Sequence, residues 1–211
     1  RQQGAQALMH PNPSFRDDSP DLHRSLVDAV GFGTIFLQTP AGPRVAHSAL
    51  LAMDSSKLQF HLARGNALTR HLEGSTALVV VNGPDAYISA ISARWYAGPD
   101  QVPTWNYIAV ELEGSVRKLD DAELLQQLEM LNDHHEAKVK GGIPWTMDKM
   151  ATRHLDGLVR SIVGFELEIE TRRETVKLSQ NKSVEERERV IAGLEQQNAA
   201  GIAQAMRRIN K

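Results

Sequence analysis

Cysteine does not occur in the 211 residues, which removes disulfides, thiolate nucleophiles, iron–sulfur clusters and Cys-based zinc sites together and accords with a reducing compartment. An excess of charge is missing too: Lys+Arg 24 against Asp+Glu 26 leaves a formal −2, so no global basic field favours nucleic acid. No apolar run reaches the roughly 18–20 residues that span a bilayer, and the N-terminus lacks a basic-then-apolar signal pattern. Also absent are G-x-G-x-x-G, G-x-x-x-x-G-K-[ST] and G-x-S-x-G, which argues against a dinucleotide fold, a P-loop and a nucleophile elbow. A cytoplasmic protein that does not enter the membrane is expected, long enough for one substantial core.

Arg1 to Leu8 is rich in Gln, Ala and Gly and precedes Met9, so it is set aside as a leader or remnant. Ser19 as a cap, Pro20 at the first helical position and apolar Leu22, Leu26, Val27 and Val30 predict a short helix that Gly31 stops. Strands follow at Phe32 to Gln38, Arg44 to Met53 and Leu58 to Ala63, joined by turn sequences rich in Pro, Gly, Asp and Ser. A helical stretch from Ala67 to Glu73 precedes an apolar strand, Ala77 to Val81, which Asn82-Gly83-Pro84 is expected to close. Tyr87 to Tyr96 and Tyr107 to Val116 read as further strands, and Val163 to Ile169 as a long one that turns near Arg172-Arg173.

Asp120 with Glu123, and Ser183 with Glu186, are capping boxes that open two helices. A helix over Thr146 to Val159 lies between them, and the terminal helices are expected on the surface because their apolar faces are thin. Six or seven strands linked mostly by hairpins predict a mainly β fold, an antiparallel barrel with added helices. The expected layout is the barrel domain over 9–182 and a helical extension over 183–211.

Two stretches carry chemistry. In Phe60 to Asn66 a strand ends at Arg64 beside Gly65 and a short helix. A guanidinium there suits an anion because its fork matches phosphate; the alternative is a solvated Arg with Asn66 capping the helix. Val102 to Tyr107 brings Trp105, Asn106 and a hydroxyl to a strand start, a mixture that binds planar heterocycles and equally describes a core Trp with a turn Asn. Lys177-Leu178-Ser179-Gln180-Asn181 groups four polar residues around one Leu at a strand exit. The adjacent His134 and His135 point to different sides of a helix and make a poor metal chelate, so no metal site is expected. His47 and His61 are available proton carriers, but no catalytic residue is identified.

These stretches coincide with an ordered series of motifs: M-H-P at Met9 with Phe15, H-L-A-R-x-N at His61 to Asn66, G-P-x-A-Y-I-S at Gly83 to Ser89, V-P-T-W-N-Y at Val102 to Tyr107, I-V-G-F-E at Ile162 to Glu166 and K-L-S-Q-N at Lys177 to Asn181. In this order they resemble the PaiB family of FMN-binding negative transcriptional regulators, from Met9 to about Leu194. The stretch Ala90 to Tyr96 reaches Trp-Tyr later than the family pattern, as a strand bulge would.

The resemblance implies a six-stranded antiparallel split barrel of the FMN-binding type, assembled as a homodimer with FMN near the interface. It places Arg64, Asn66 and Arg70 near the phosphate, with His61 and Ala63 of the same motif in the cofactor set. His47 and Ser48 would approach the isoalloxazine or ribityl chain, and Trp105 and Asn106 would come from the partner subunit. Lys177, Ser179 and Gln180 would donate to phosphate or ring oxygens. The implied role is a flavin-dependent oxidoreductase, with NAD(P)H as a candidate electron donor, or a repressor. Direct DNA contact is disfavoured, because Arg172, Arg173, Lys177 and Lys182 are diluted by Glu170 and Glu174. Two alternatives stay open: a haem-binding split barrel, and a cofactor-free regulator acting through DNA or a protein partner.

Overall fold

The computed structural model describes residues 10–16, 21–90, 95–96 and 101–209. Six strands close into a barrel in the order β1-β2-β3-β6-β5-β4. They are β1 (Phe32–Thr39), β2 (Gly42–Ala52), β3 (Lys57–Ala63), β4 (Thr76–Ile88), β5 (Thr104–Lys118) and β6 (Ile162–Lys177). The helices are α1 (Leu22–Val30), α2 (Thr69–Leu72), α3 (Asp121–Glu136), α4 (Thr152–Arg160), α5 (Val184–Gln196) and α6 (Ala200–Ile209). The antiparallel barrel with added helices is the expected fold.

The chain divides into two compact units. The first, 20–81 with 111–172, holds the β1–β2, β2–β3, β3–β6 and β1–β4 pairings, all antiparallel. Alternation along each strand decides the inner face: Ile35 and Leu37 of β1, Leu50 of β2, and Leu58, Phe60 and Leu62 of β3 are buried. The register sets Leu58 opposite Leu167 and Phe60 opposite Phe165, with the two Phe rings stacked at 5.7 Å. Gly31 ends α1 at φ 67 and donates its N–H to the Val27 carbonyl at 2.7 Å, the left-handed cap that glycine adopts without a Cβ penalty. The Ser19 and Pro20 signals lie outside the described residues.

The second unit gathers the described part of 1–19 with 82–110 and 173–211. Here the terminal helices differ from expectation. Val190, Ile191 and Leu194 of α5 and Ile202, Ala203 and Met206 of α6 are all buried. Their six apolar side chains make a narrow stripe, yet one that is fully covered. The indole of Trp95 lies against Gly193, where a Cβ would stand 2.4 Å from its Nε1. Asp120 and Ser183 cap α3 and α5 in complete capping boxes, as predicted.

Two expected breaks and one expected helix are corrected. β4 runs through Asn82-Gly83-Pro84 without turning. Its pairing with β1 spans Leu78 to Val80, so beyond that point the missing proline N–H removes no bond on that side, and proline φ suits extended backbone. β6 likewise continues through Arg172-Arg173. The helix expected over Thr146 to Val159 is a 3-10 turn, Met147–Lys149, followed by α4.

Candidate functional site

In the first unit, β3 delivers its motif to a tight turn. The backbone N–H of Asn66 donates to the Ala63 carbonyl at 2.9 Å, and Asn66 Oδ1 accepts from the Leu68 N–H at 2.9 Å. Thr69 Oγ1 closes the turn by donating to the Ala63 carbonyl at 2.8 Å. Arg64 is exposed but not loose: its Nε donates to the Arg160 carbonyl at 2.8 Å and its Nη2 to the Ile162 carbonyl at 3.2 Å. Two of five guanidinium N–H bonds are thus used, one on the last residue of α4 and one on the first of β6, which orients the group. Arg70 is exposed on α2, its Nε donating to His71 Nε2 at 3.0 Å.

His61 sits half-buried on the same strand, and its buried Nδ1 has no hydrogen-bond partner. Burial pushes its imidazole below the ordinary value, so the ring is neutral near pH 7. Ser48, buried on β2, donates from Oγ to the His61 carbonyl at 2.6 Å and braces the strand pair. His47 faces outward, with Nδ1 3.0 Å from Thr34 Oγ1 and its ring stacked on Phe32 at 6.4 Å. Phe32, Phe36 and Val45 are 54%, 40% and 48% exposed. The register places Phe36 opposite Val45 and Leu78, and Thr34 opposite His47 and Val80. The outer face of β2-β1-β4 is therefore a continuous, largely apolar sheet surface with His47 in it.

In the second unit the motif residues divide into an inner and an outer set. Asn106 is fully buried: its Nδ2 donates to Ser179 Oγ at 2.9 Å and lies 3.5 Å from Met206 Sδ. Ser179, at φ 62, also meets the Tyr96 hydroxyl at 2.8 Å. Gln180 folds back on its own strand, accepting the Leu178 N–H at 2.7 Å and donating to the Val176 carbonyl. Lys177 reaches outward, donating to Thr104 Oγ1 at 2.7 Å with its ammonium 5.8 Å from the Phe15 ring centre. Trp105 is half exposed and meets Tyr87 edge-to-face at 6.1 Å, beside a cavity of about 280 Å³ that it lines with Asn82, Asp85 and Tyr107. Asn106, Ser179 and Gln180 thus brace the strand exit from within, and Trp105 and Lys177 present to the surface. Thr104 and Tyr96 lie inside the motif stretches, V-P-T-W-N-Y and Trp-Tyr, but the sequence assigns neither a role, because nothing local marks either as a partner.

Comparison with known proteins places this geometry. Residues 9–171 match the model of the family described as "Putative FMN-binding domain". The chain belongs to this FMN-binding family. It is 31% identical over 189 residues to "Protease synthase and sporulation protein PAI 2" of Bacillus subtilis, covering 86% of this chain and 88% of that protein. The PaiB resemblance drawn from the ordered motifs is borne out, and FMN is the cofactor the family assigns. Among solved structures, the chain is similar to the FAD and haem binding protein from Mycobacterium smegmatis, with TM-score 0.56, 18% identity, and coverage of 83% of this chain and 79% of that one. It is also similar to the flavocytochrome Anf3 from Azotobacter vinelandii, with TM-score 0.56, 15% identity, and 82% and 73% covered. At these identities the likeness is one of fold, and the fold is the split barrel. No described helix is long and apolar enough to cross a membrane.

The residues present fit the family's flavin. Gly65, beside Arg64, has no atom within 4 Å of where a Cβ would stand, so there is open space next to the oriented guanidinium. A buried imidazole nitrogen without a partner stands two residues before the turn. A guanidinium suits a phosphate, and an unpartnered buried nitrogen suits a hydrogen-bonding group.

Proposed function

We propose that this chain binds FMN as a homodimer and serves as a flavin-dependent redox or regulatory protein of the PaiB type. The observation that carries the reading is the turn after β3, where Arg64 is held by two carbonyls beside open space at Gly65 and the unpartnered Nδ1 of His61. In this reading Arg64 and Arg70 take the phosphate and Asn66 shapes the turn that presents it. His61 supplies a neutral hydrogen-bonding nitrogen, Ser48 fixes its backbone through the His61 carbonyl, and the Ala63 carbonyl anchors the turn. Bound FMN would supply one- or two-electron redox chemistry that no side chain here can perform. His47 stands on the outer face of β2-β1-β4, whose apolar surface is of the kind a partner covers. The second copy is the occupant we assign to that face. As the resemblance implies, Trp105 and Asn106 would come to the ligand from the partner subunit, and Lys177, Ser179 and Gln180 would offer donors; within its own unit Asn106 bonds Ser179, and Lys177 bonds Thr104. The near-neutral charge favours regulation through a small molecule or protein over direct DNA contact.

The test is titration of FMN fluorescence with the purified chain, with light scattering to record size. Saturable quenching at one FMN per chain in a dimer is expected, with affinity falling about ten-fold or more in Arg64→Ala as a charge-assisted phosphate contact is lost. Phe36→Asp should produce monomers. Absence of quenching by the dimeric wild-type chain refutes the flavin reading. Oxidation of NAD(P)H by the loaded dimer would separate a reductase from a sensor.

A further inference from the structure

The helix α4 is amphipathic, yet none of its residues is buried. Its apolar Leu155, Leu158 and Val159 face Leu128 and Leu131 of α3 across a cavity of about 410 Å³, closed on a third side by Trp145, Met147 and Met150. That volume lies in the range of small-ligand sites. The strap that forms the third wall is pinned by polar bonds. Asn132 Nδ2 donates to the Trp145 carbonyl at 2.9 Å, the Trp145 N–H donates to Glu136 Oε2 at 2.9 Å, and Lys149 Nζ donates to the Pro144 carbonyl at 2.7 Å. Two of these bonds tie the strap to α3 and the third is internal to it; unfilled apolar space forfeits dispersion contacts.

No charged side chain lines the cavity; its polar lining is Asn132, His135 and Ser161. Asn132 uses its amide nitrogen on the strap, and Ser161 Oγ donates to the Leu158 carbonyl at 2.6 Å. Asn132 Oδ1 and the Ser161 oxygen keep acceptor capacity, and His135 adds a ring able to address a ligand. Its ring is fixed against Gly31, where a Cβ would stand 2.3 Å from Cε1. Burial first, then Lys138 and His134, lower its pKa, so it offers a neutral imidazole. The adjacent His134 is otherwise employed, with Nε2 3.0 Å from the Asp28 carbonyl. Trp145 and the two methionines are walls that suit an aromatic ring.

The far end of the cavity, Ser161 and Ile162, is bonded to Arg64. The Arg64 N–H donates to the Ser161 carbonyl at 2.8 Å, and its guanidinium reaches the Arg160 and Ile162 carbonyls. We infer that this cavity is an effector site for a neutral, hydroxylated aromatic molecule, whose occupancy steadies α4 and through its terminal carbonyls the guanidinium of Arg64. The second half rests on the flavin reading above; the first does not.

The test uses the full chain and 1-naphthol as probe. Calorimetry without FMN should show saturable binding at one naphthol per chain, with 1-naphthoate about ten-fold weaker or worse, because an unpaired carboxylate is penalised between apolar walls. Leu155→Trp and Met147→Trp, both at positions that are not buried, should fill the space and abolish binding with melting unchanged. Absence of saturable binding, or unchanged affinity in both folded variants, overturns the site. Loss of an oligomer in Met147→Trp would assign the cavity to a second copy and also overturns it. Saturating naphthol should tighten FMN binding about five-fold, with FMN tightening naphthol equally; naphthol binding with FMN affinity unmoved overturns the coupling. A chain that binds naphthol and no FMN upholds the cavity and refutes the flavin reading instead.

Discussion

Gly114→Ala tests the closure of the barrel. Gly114 is buried on β5, and a Cβ built there would stand 1.7 Å from the Glu168 carbonyl oxygen, 2.8 Å from its carbon and 3.1 Å from the Glu170 nitrogen. All three are backbone atoms of β6, so no rotamer change relieves the clash. Ordinary contact begins near 3.4 Å, and β5 must leave β6 locally by more than an ångström. Hydrogen bonds displaced that far fail the geometric limits. Losing two or three at about 1 kcal/mol each, with about 1–3 kcal/mol for overpacking, gives a cost of about 3–6 kcal/mol. For a chain of this size that lowers the melting temperature by roughly 6–24 °C. Equilibrium urea unfolding measures it, with Gly65→Ala as the control, since that Cβ meets no atom within 4 Å and the change should fall within about 1 kcal/mol of zero. If Gly114→Ala unfolds within about 1 kcal/mol of the wild type, the close passage of the two strands is not a constraint and the reasoning is wrong.

Gln127 is buried in α3, and neither amide atom has a hydrogen-bond partner. Gln127→Met should therefore raise stability by about 1–2 kcal/mol, and a lower melting temperature would show that the amide is satisfied in solution. His61 has a folded-state pKa below its ordinary 6.5 because it is desolvated. The unfolded chain then binds the extra proton first, so stability is complete above about pH 6.5 and falls as the pH drops from there toward the folded value. His61→Gln should flatten that decline in a melting series from pH 8 to 5, and an identical decline in the variant would exclude His61 as its source. Asn106→Leu removes one of the two side-chain partners of Ser179, leaving Tyr96, and should cost about 0.5–1.5 kcal/mol in urea unfolding; unchanged stability with weakened FMN binding would instead make Asn106 a ligand contact.

Most of the fold was legible because its signals are local. The capping boxes at Asp120 and Ser183, the stop at Gly31 and the period-two alternation in β1, β3 and β6 each rest on a few neighbouring residues. Asn82-Gly83-Pro84 misled because turn residues mark a turn only where a strand needs the bond that proline lacks. The terminal helices misled because a thin apolar stripe says how much can be buried, not whether a partner covers it. Of the candidate site, the motifs named the stretches and could not sort their members into inner and outer residues. Asn106 and Trp105 are adjacent in sequence, yet one is fully buried and the other half exposed, as successive residues of a strand must differ.

The sequence by itself determined the strand and helix content, the family and hence the flavin, because those depend on residue type and order. Tertiary structure decided what each polar group does. Arg64 is oriented by carbonyls about a hundred residues away in the chain, Ser179 is bound to Tyr96 and Asn106, and His135 rather than His134 faces a cavity. A guanidinium or an imidazole carries the same chemistry wherever it is written; whether that chemistry is spent on the fold or left for a ligand depends on which distant backbone comes within 3 Å of it.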